Sequence, residues 1–251
     1  MKPRRFFVEG EPLRPGERLL KGKRAGHLTR VLRLGVGDPV VLFDGSGREF
    51  PAEILEVRRQ FVRLQVTEGV RVERESDLNL VLALGLPRPA IMDLIVQKVT
   101  ELGVDEIIPV DTERAQKWLQ GERGGSRLKR WERIAREAAR QSGRNRVPRI
   151  STLTDFEQVL KQSKDTGMKL ICWEEEEIGS LRQILAAKGG SRQACVLIGP
   201  EGGFSEAEVE QASAAGFQKI SLGRRILRTE TAAITVIGLL QYELGDLGLC
   251  P

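Results

Sequence analysis

The sequence predicts an α/β protein in two parts: a small barrel-like β domain over residues 1–75, and a domain over residues 76–251 built on a mostly parallel, helix-covered sheet. Three observations lead there. Short alternating apolar runs give way to continuous ones near residue 75, at the charged stretch Arg71 to Asp77. Beyond that point apolar strands and helical segments alternate, the order that builds a parallel sheet covered on both faces. A chain of 251 residues is also near the length at which single cores stop growing and chains divide.

In the first part, Val40 to Phe43, Phe50 to Val57 and Phe61 to Thr67 alternate as strands do, with Gly-Asp, Asp-Gly-Ser-Gly and Arg-Arg-Gln turns between them. In the second, Leu78 to Leu84 is a strand, Ile91 to Leu102 a helix stopped by Gly103, and Glu106 to Val110 a strand. A helix follows from Thr154, with Glu157 at capping-box spacing. Then come a strand at Lys169 to Trp173, a short helix near Leu181 and a strand at Ala194 to Ile198. The chain closes with a strand at Ile220 to Leu222 and a helix that starts around Thr229 to Thr231 and runs to Leu244. Ile234, Val236, Ile237, Leu239 and Leu240 leave that last helix apolar almost all round, so it needs cover within the chain or from a second subunit.

Charge is uneven. The formal total is +5, but Gly121 to Arg149 holds ten Lys or Arg against three Glu, and Met1 to Glu75 sixteen against eleven, which leaves −7 for the rest. Such segregation suits a polyanion surface, although solvated faces would look the same. Within Arg127 to Arg149, Leu128, Trp131, Ala135, Ala138 and Ser142 form one helical stripe, and Lys129, Arg133, Arg136 and Arg140 a cationic one suited to phosphates. Cys172, Cys195 and Cys250 are widely spaced, with no C-x-x-C pair and one histidine, His27, which argues against a zinc site or a disulfide framework. No metal is expected. The first residues lack an apolar leader and no membrane-length apolar run occurs, so a cytoplasmic protein without a membrane partner is expected.

The chemistry concentrates in VLIGPEGGFSEAEVE, Val196 to Glu210, which reads as strand, glycine loop and helix. Ser205 and Glu208 have capping-box spacing at the helix start. No Lys-Ser or Lys-Thr follows the glycines, and Glu201 would repel a phosphate inside the loop, so a neutral or cationic ligand fits better; a tight turn with no ligand also fits. A second loop of the same kind follows Ile220 to Leu222. Loops at the carboxyl ends of neighbouring parallel strands line one crevice, where small ligands bind.

Three motifs together, LIGPEGGFS at Leu197 to Ser205, LGRRILRTETAAI at Leu222 to Ile234 and QKVTELGVDEIIPV at Gln97 to Val110, resemble the signatures of the RsmE family over essentially the whole chain. The resemblance implies a SPOUT-class methyltransferase that uses S-adenosylmethionine to methylate N3 of a uridine in 16S ribosomal RNA of the small ribosomal subunit. It implies a C-terminal SPOUT α/β domain with a trefoil knot, which general rules on chain topology would have rejected, and an N-terminal PUA-like β-barrel carrying the RNA-binding element His27 to Arg33. A homodimer is implied too. Carried onto this chain, the cofactor residues are Leu197, Gly199, Glu201 and Gly202 in the first loop, and Leu222, Gly223, Ile226, Leu227, Arg228, Thr231 and Ala232 in the second. The expected RNA contacts are Arg4, Arg5, Lys23, His27, Arg30 and Arg33, with Arg133, Arg136 and Arg140 on the basic helix.

Uridine N3 is a weakly acidic imide, so methyl transfer needs its proton removed or the developing charge on O2 and O4 stabilised. Arg228 is the candidate stabiliser and Glu230 the nearest base, although Glu230 equally suits the dipole at the first turn of the last helix. His27 is assigned to RNA contact or packing, and Glu101 to ordering the pocket or ending a helix. Three rivals stand beside this reading: an RNA-binding module without catalysis, a nucleotide-dependent α/β enzyme of small-molecule metabolism, against which Glu201 and the missing Lys argue, and a SPOUT enzyme acting on another RNA position.

Overall fold

The computed structural model describes residues 4–10, 12–22, 26, 34–119, 123–174, 181–187 and 190–249. Lys23, His27, Arg30, Arg33 and Cys250 lie outside the described residues. The chain divides into two compact units, Met1–Glu75 with Ala139–Arg146, and Ser76–Ala138 with Val147–Pro251. Segment 139–146 thus belongs with the N-terminal unit, which no change of hydrophobic period announces.

The first unit holds strands β1 (Arg4–Phe7), β2 (Gly16–Lys21), β3 (Pro39–Phe43), β4 (Arg48–Val57), β5 (Phe61–Val66) and β6 (Val70–Arg71). Their order is β1-β3-β4-β5-β2, with β6 beside β4; β1 and β3 run parallel and the other pairs antiparallel. Alternation along these strands points Phe6, Leu20, Val40, Leu42, Ile54, Val62 and Leu64 into one core. Among the described residues β1 and β2 end the path without pairing to each other.

Segment 139–146 is held in this unit by an interior charge cluster. The Arg5 guanidinium pairs with Glu49 and donates to Asn145 Oδ1 and the Arg144 carbonyl, both at 2.8 Å. Arg144 Nε donates to Glu75 Oε2 at 2.9 Å, while the Asn145 and Arg146 N–H groups donate to Glu75 Oε1 at 2.7 and 2.9 Å. Burial pulls the Arg5 guanidinium below its usual pKa, against the opposing pull of Glu49. Removing one member of a buried pair strands the other, at a cost of about 3–5 kcal/mol.

The second unit holds β7 (Asn79–Gly85), α1 (Pro89–Glu101), β8 (Glu106–Asp111), α2 (Arg123–Ser142, its last turn in the first unit), β9 (Arg149–Ile150), β10 (Thr154–Asp155) and α3 (Phe156–Gln162). There follow β11 (Met168–Cys172), α4 (Leu181–Ala187), β12 (Gln193–Ile198), α5 (Glu206–Ala214), β13 (Gln218–Ile220) and α6 (Thr229–Leu244). The sheet is parallel throughout, in the order β10-β8-β7-β12-β11-β13, with β9 also beside β8. Leu80, Leu82 and Leu84 share one core with Met92, Ile95 and Val99 of α1 and Val236, Ile237 and Leu240 of α6. Ala83, Ile171, Cys195 and Leu197 belong to a second core with Phe156, Phe204 and Val209. Cover on both faces is why the strands read as continuous apolar runs.

Two local expectations change. The last strand ends at Ile220, before Leu222. Thr154 does not cap a helix: it lies in β10, its hydroxyl donates to the Thr152 carbonyl at 2.9 Å, and Asp155 occupies the N-cap without a side-chain bond. The Ser205–Glu208 box is present, with Ser205 N–H on Glu208 Oε2 at 2.9 Å and Glu208 N–H on the Ser205 hydroxyl at 3.4 Å.

Candidate active site

At the carboxyl ends of β11, β12 and β13 the second unit encloses a cavity of about 1100 Å³. Gly199, Pro200, Glu201 and Gly203 of the β12–α5 loop wall it, as do residues from Ser221 to Glu230 between β13 and the first turn of α6. Cys172, which ends β11, and Trp173 and Glu174 after it form a third side, and Arg88 and Ile91 lie on a fourth.

The two glycine loops meet because the backbone lets them. Gly199 permits a tight bend: a Cβ there would stand 3.0 Å from Gly203 Cα and 3.1 Å from Phe204 N. Gly203 has φ +71° and Gly223 φ +106°, left-handed conformations that favour glycine, and a Cβ on Gly223 would meet nothing within 4 Å. Arg88 N–H donates to Glu201 Oε1 at 2.9 Å, with the Arg88 guanidinium 3.6 Å away, so Glu201 ties the first loop to the start of α1 while still facing the cavity. The wall is divided chemically: Ile198, Ile220, Leu222 and Leu227 are apolar, Glu174, Glu201 and Glu230 can face a cation, and Arg224, Arg225 and Arg228 can face an anion.

Of the residues expected at a cofactor, Gly199, Glu201, Leu222, Gly223, Ile226, Leu227, Arg228 and Ala232 line this cavity, together with Glu230. Leu197, Gly202 and Thr231 do not. Leu197 points to the opposite face of the sheet, into the core with Ala83 and Phe204, and its neighbour Ile198 takes the cavity side, as strand alternation requires. Gly202 lies against Arg114, and Thr231 is on the exposed side of α6. Ile226 is 84% exposed, at the rim rather than in an apolar wall. Trp173, Glu174, Arg88, Arg224 and Arg225 also line the cavity, as does Cys172; Cys172 ends β11 and Trp173 and Glu174 follow it, and that place at a strand's carboxyl end is the signal the sequence offers for them. Burial pushes the Cys172 thiol up, so it stays protonated beside the cavity.

Among the expected RNA contacts, Arg4 is exposed, but Arg5 is turned inward. Its two terminal nitrogens are held by Glu49, Arg144 and Asn145, and its side chain is only 13% exposed, so little of it faces solvent. On α2, Trp131, Ala135 and Ala138 are buried as the stripe predicts, while Ser142 is exposed. On the opposite stripe Lys129 and Arg133 are exposed and Arg136 and Arg140 half-buried. Arg130 is spent on Asp93 of α1, at 2.8 and 2.7 Å. Among the described residues no group of His, Cys, Asp or Glu could hold a metal ion, and no helix is long and apolar enough to cross a membrane.

Fold and site define the class. Residues 74–241 match the family described as RNA methyltransferase domain, and residues 20–67 the family described as RNA methyltransferase PUA domain. A protein of Bacillus subtilis named ribosomal RNA small subunit methyltransferase E is 32% identical over 228 residues, 89% of each chain. A Neisseria gonorrhoeae structure of the same name, bound to S-adenosyl methionine, superposes with a TM-score of 0.89 at 33% identity, covering 98% of this chain and 99% of that one. A Legionella pneumophila methyltransferase in complex with the cofactor SAM gives a TM-score of 0.90 at 33% identity, covering 98% and 100%. The chain belongs to the ribosomal RNA small subunit methyltransferase E (RsmE) family.

Proposed function

We propose that this chain transfers a methyl group from S-adenosylmethionine to N3 of a uridine in 16S ribosomal RNA of the small ribosomal subunit, in the bacterial cytoplasm. The cavity between the glycine loops is the observation that carries this reading. Its walls fit the donor: Gly199, Gly203 and Gly223 leave backbone open to close approach, Ile198, Leu222 and Leu227 suit the adenine, and Glu174, Glu201 and Glu230 suit a sulfonium. Bound there, S-adenosylmethionine supplies an electrophilic methyl group. The chain's own part is to hold the base and manage its charge.

N3 lies on the pairing edge, so the uridine must leave its stack to be reached. Arg228 holds the N-cap of α6 on the cavity wall, where its permanent charge can stabilise the anion developing on O2 and O4. Glu230, in the first turn of the same helix and on the same wall, is the candidate to accept the N3 proton. Arg4, Lys129 and Arg133 are exposed cations suited to phosphates.

Three structural features of this reading rest on the family. The first unit is a PUA-like barrel, and Lys23, His27, Arg30 and Arg33 are its RNA contacts by the family pattern. The second is a SPOUT domain whose end is threaded as a trefoil knot, which the insertion of β12 between β7 and β11 supports. The chain works as a homodimer; Leu94 of α1 and Leu239, Tyr242, Leu247 and Leu249 at the C-terminal end are exposed apolar side chains that a second copy would cover. Mass mapping of modified nucleosides in small-subunit RNA, from cells lacking and regaining this chain, tests the reading. A 3-methyluridine that follows the chain supports it; a different modified nucleoside following the chain, or none, overturns it.

A further inference from the structure

Segment 112–119, between β8 and α2, touches the connections that follow both β7 and β12. Gln116 N–H donates to the Leu86 carbonyl at 2.9 Å and Trp118 Nε1–H to the Pro87 carbonyl at 2.8 Å. On the other side Glu113 N–H donates to Glu208 Oε1 at 2.8 Å, so the carboxylate that closes the capping box of α5 also anchors this segment. Arg114 goes further. Its Nη1 donates to the Gly202 carbonyl at 3.0 Å and to the Phe204 carbonyl at 3.1 Å. Its stem lies against Gly202, where a Cβ would stand 3.3 Å from Arg114 Cβ.

These two carbonyls flank Gly203, which faces the cavity, whereas Arg114 does not line it. The loop therefore has an inner side of Gly199, Glu201 and Gly203 and an outer side held by one guanidinium. Two consecutive glycines give such a loop little order of its own. Fixing it in advance lowers the ordering cost that a ligand would otherwise meet. We infer that Arg114 is a positioning residue for the methyl donor: it touches neither donor nor base, and it sets the shape of the β12–α5 loop that the donor binds. This rests on the donor reading of the cavity. Both bonds come from Nη1, whose two N–H groups are fixed in the guanidinium plane and so fix the two carbonyls relative to each other, which a freely rotating ammonium does less well.

The test is calorimetric titration of S-adenosylmethionine onto the full chain without RNA, beside steady-state kinetics and a thermal melt. Arg114→Met keeps the stem and removes the donors. The dissociation constant and the KM for S-adenosylmethionine should rise about tenfold, as expected for two hydrogen bonds to a charged group, partly replaced by water. Turnover at saturating donor should stay within about twofold of wild type, since an effect on binding alone leaves it untouched. Arg114→Lys should fall between the two, and Lys117→Ala, on the same segment but paired outward to Asp111, should bind as wild type. Unchanged donor binding in Arg114→Met, or a loss confined to turnover, overturns the inference. If Arg114→Met does not fold, Arg114→Lys carries the comparison, and wild-type affinity in that variant overturns it equally. Wild-type protein that fails to bind the donor at all would instead refute the donor reading.

Discussion

Gly85 is the residue at which the fold and the site depend most directly on one missing atom. It ends β7, and a Cβ on its backbone would stand 2.5 Å from Pro200 Cδ, 2.8 Å from Pro200 N and 3.3 Å from the Gly199 carbonyl carbon. Ordinary contact begins near 3.4 Å, so in Gly85→Ala something must give by roughly 0.6–0.9 Å. Strand β7 is paired on both flanks, by β8 and β12, and is the less able to move. The turn Gly199–Pro200–Glu201 must shift instead, and it is the wall of the cavity. Overpacking of this kind costs about 1–3 kcal/mol, or roughly 2–12 °C in Tm for a domain of this size. Strain placed in the binding loop should also weaken S-adenosylmethionine binding by about tenfold. Calorimetry and a thermal melt read both, with Gly35→Ala as a control, since a Cβ there meets nothing within 4 Å. A Gly85→Ala protein that binds the donor within about twofold of wild type refutes the reasoning, because the loop would then not be held by β7.

Arg228→Ala should weaken donor binding by no more than about tenfold and cut turnover on small subunits at saturating donor by about 10²–10³-fold, the usual range for losing one preorganised stabiliser of a developing anion; unchanged turnover removes Arg228 from the chemistry. Reversing Lys129 and Arg133 to Glu should weaken RNA binding and flatten its dependence on salt, and an unaltered salt slope in a binding assay would leave them as solvated charges. Cys195 is buried and its thiol is pushed up to about 11, chiefly by desolvation, although it accepts a bond from Ser163 at 3.3 Å. The unfolded thiol ionises near 9.0 and the folded one only near 11, so its contribution is complete below the first value and is lost as pH rises through the second. Cys195→Ala should therefore flatten the alkaline limb of stability against pH in denaturant titrations; an identical limb would mean that other groups set it.

Much of the α/β unit was legible in the sequence because strands covered on both faces must be apolar throughout, as Leu80 to Leu84 and Ala194 to Ile198 are. The same property hid which side chains face the cavity. A run with no polar residue carries no parity, so Leu197 and its neighbour Ile198 could not be told apart until the sheet was in place. The Ser205–Glu208 box was readable, since both partners lie within one turn, whereas Thr154 and Glu157 have the same spacing but β10 pairs with β8 and claims Thr154. Arg5 looked like an RNA contact because a sequence shows charge and not pairing; its partners are 44 and 140 residues away. Arg114 gave no signal at all, because its acceptors are backbone carbonyls, which every residue has.

The central claim is that the loops after β12 and β13 form one niche for a methyl donor. A crystal structure of the chain soaked with S-adenosylmethionine tests it most directly. The donor is expected between Gly199–Gly203 and Leu222–Arg228, in contact with both; density against one loop alone, or elsewhere on the chain, would contradict the account.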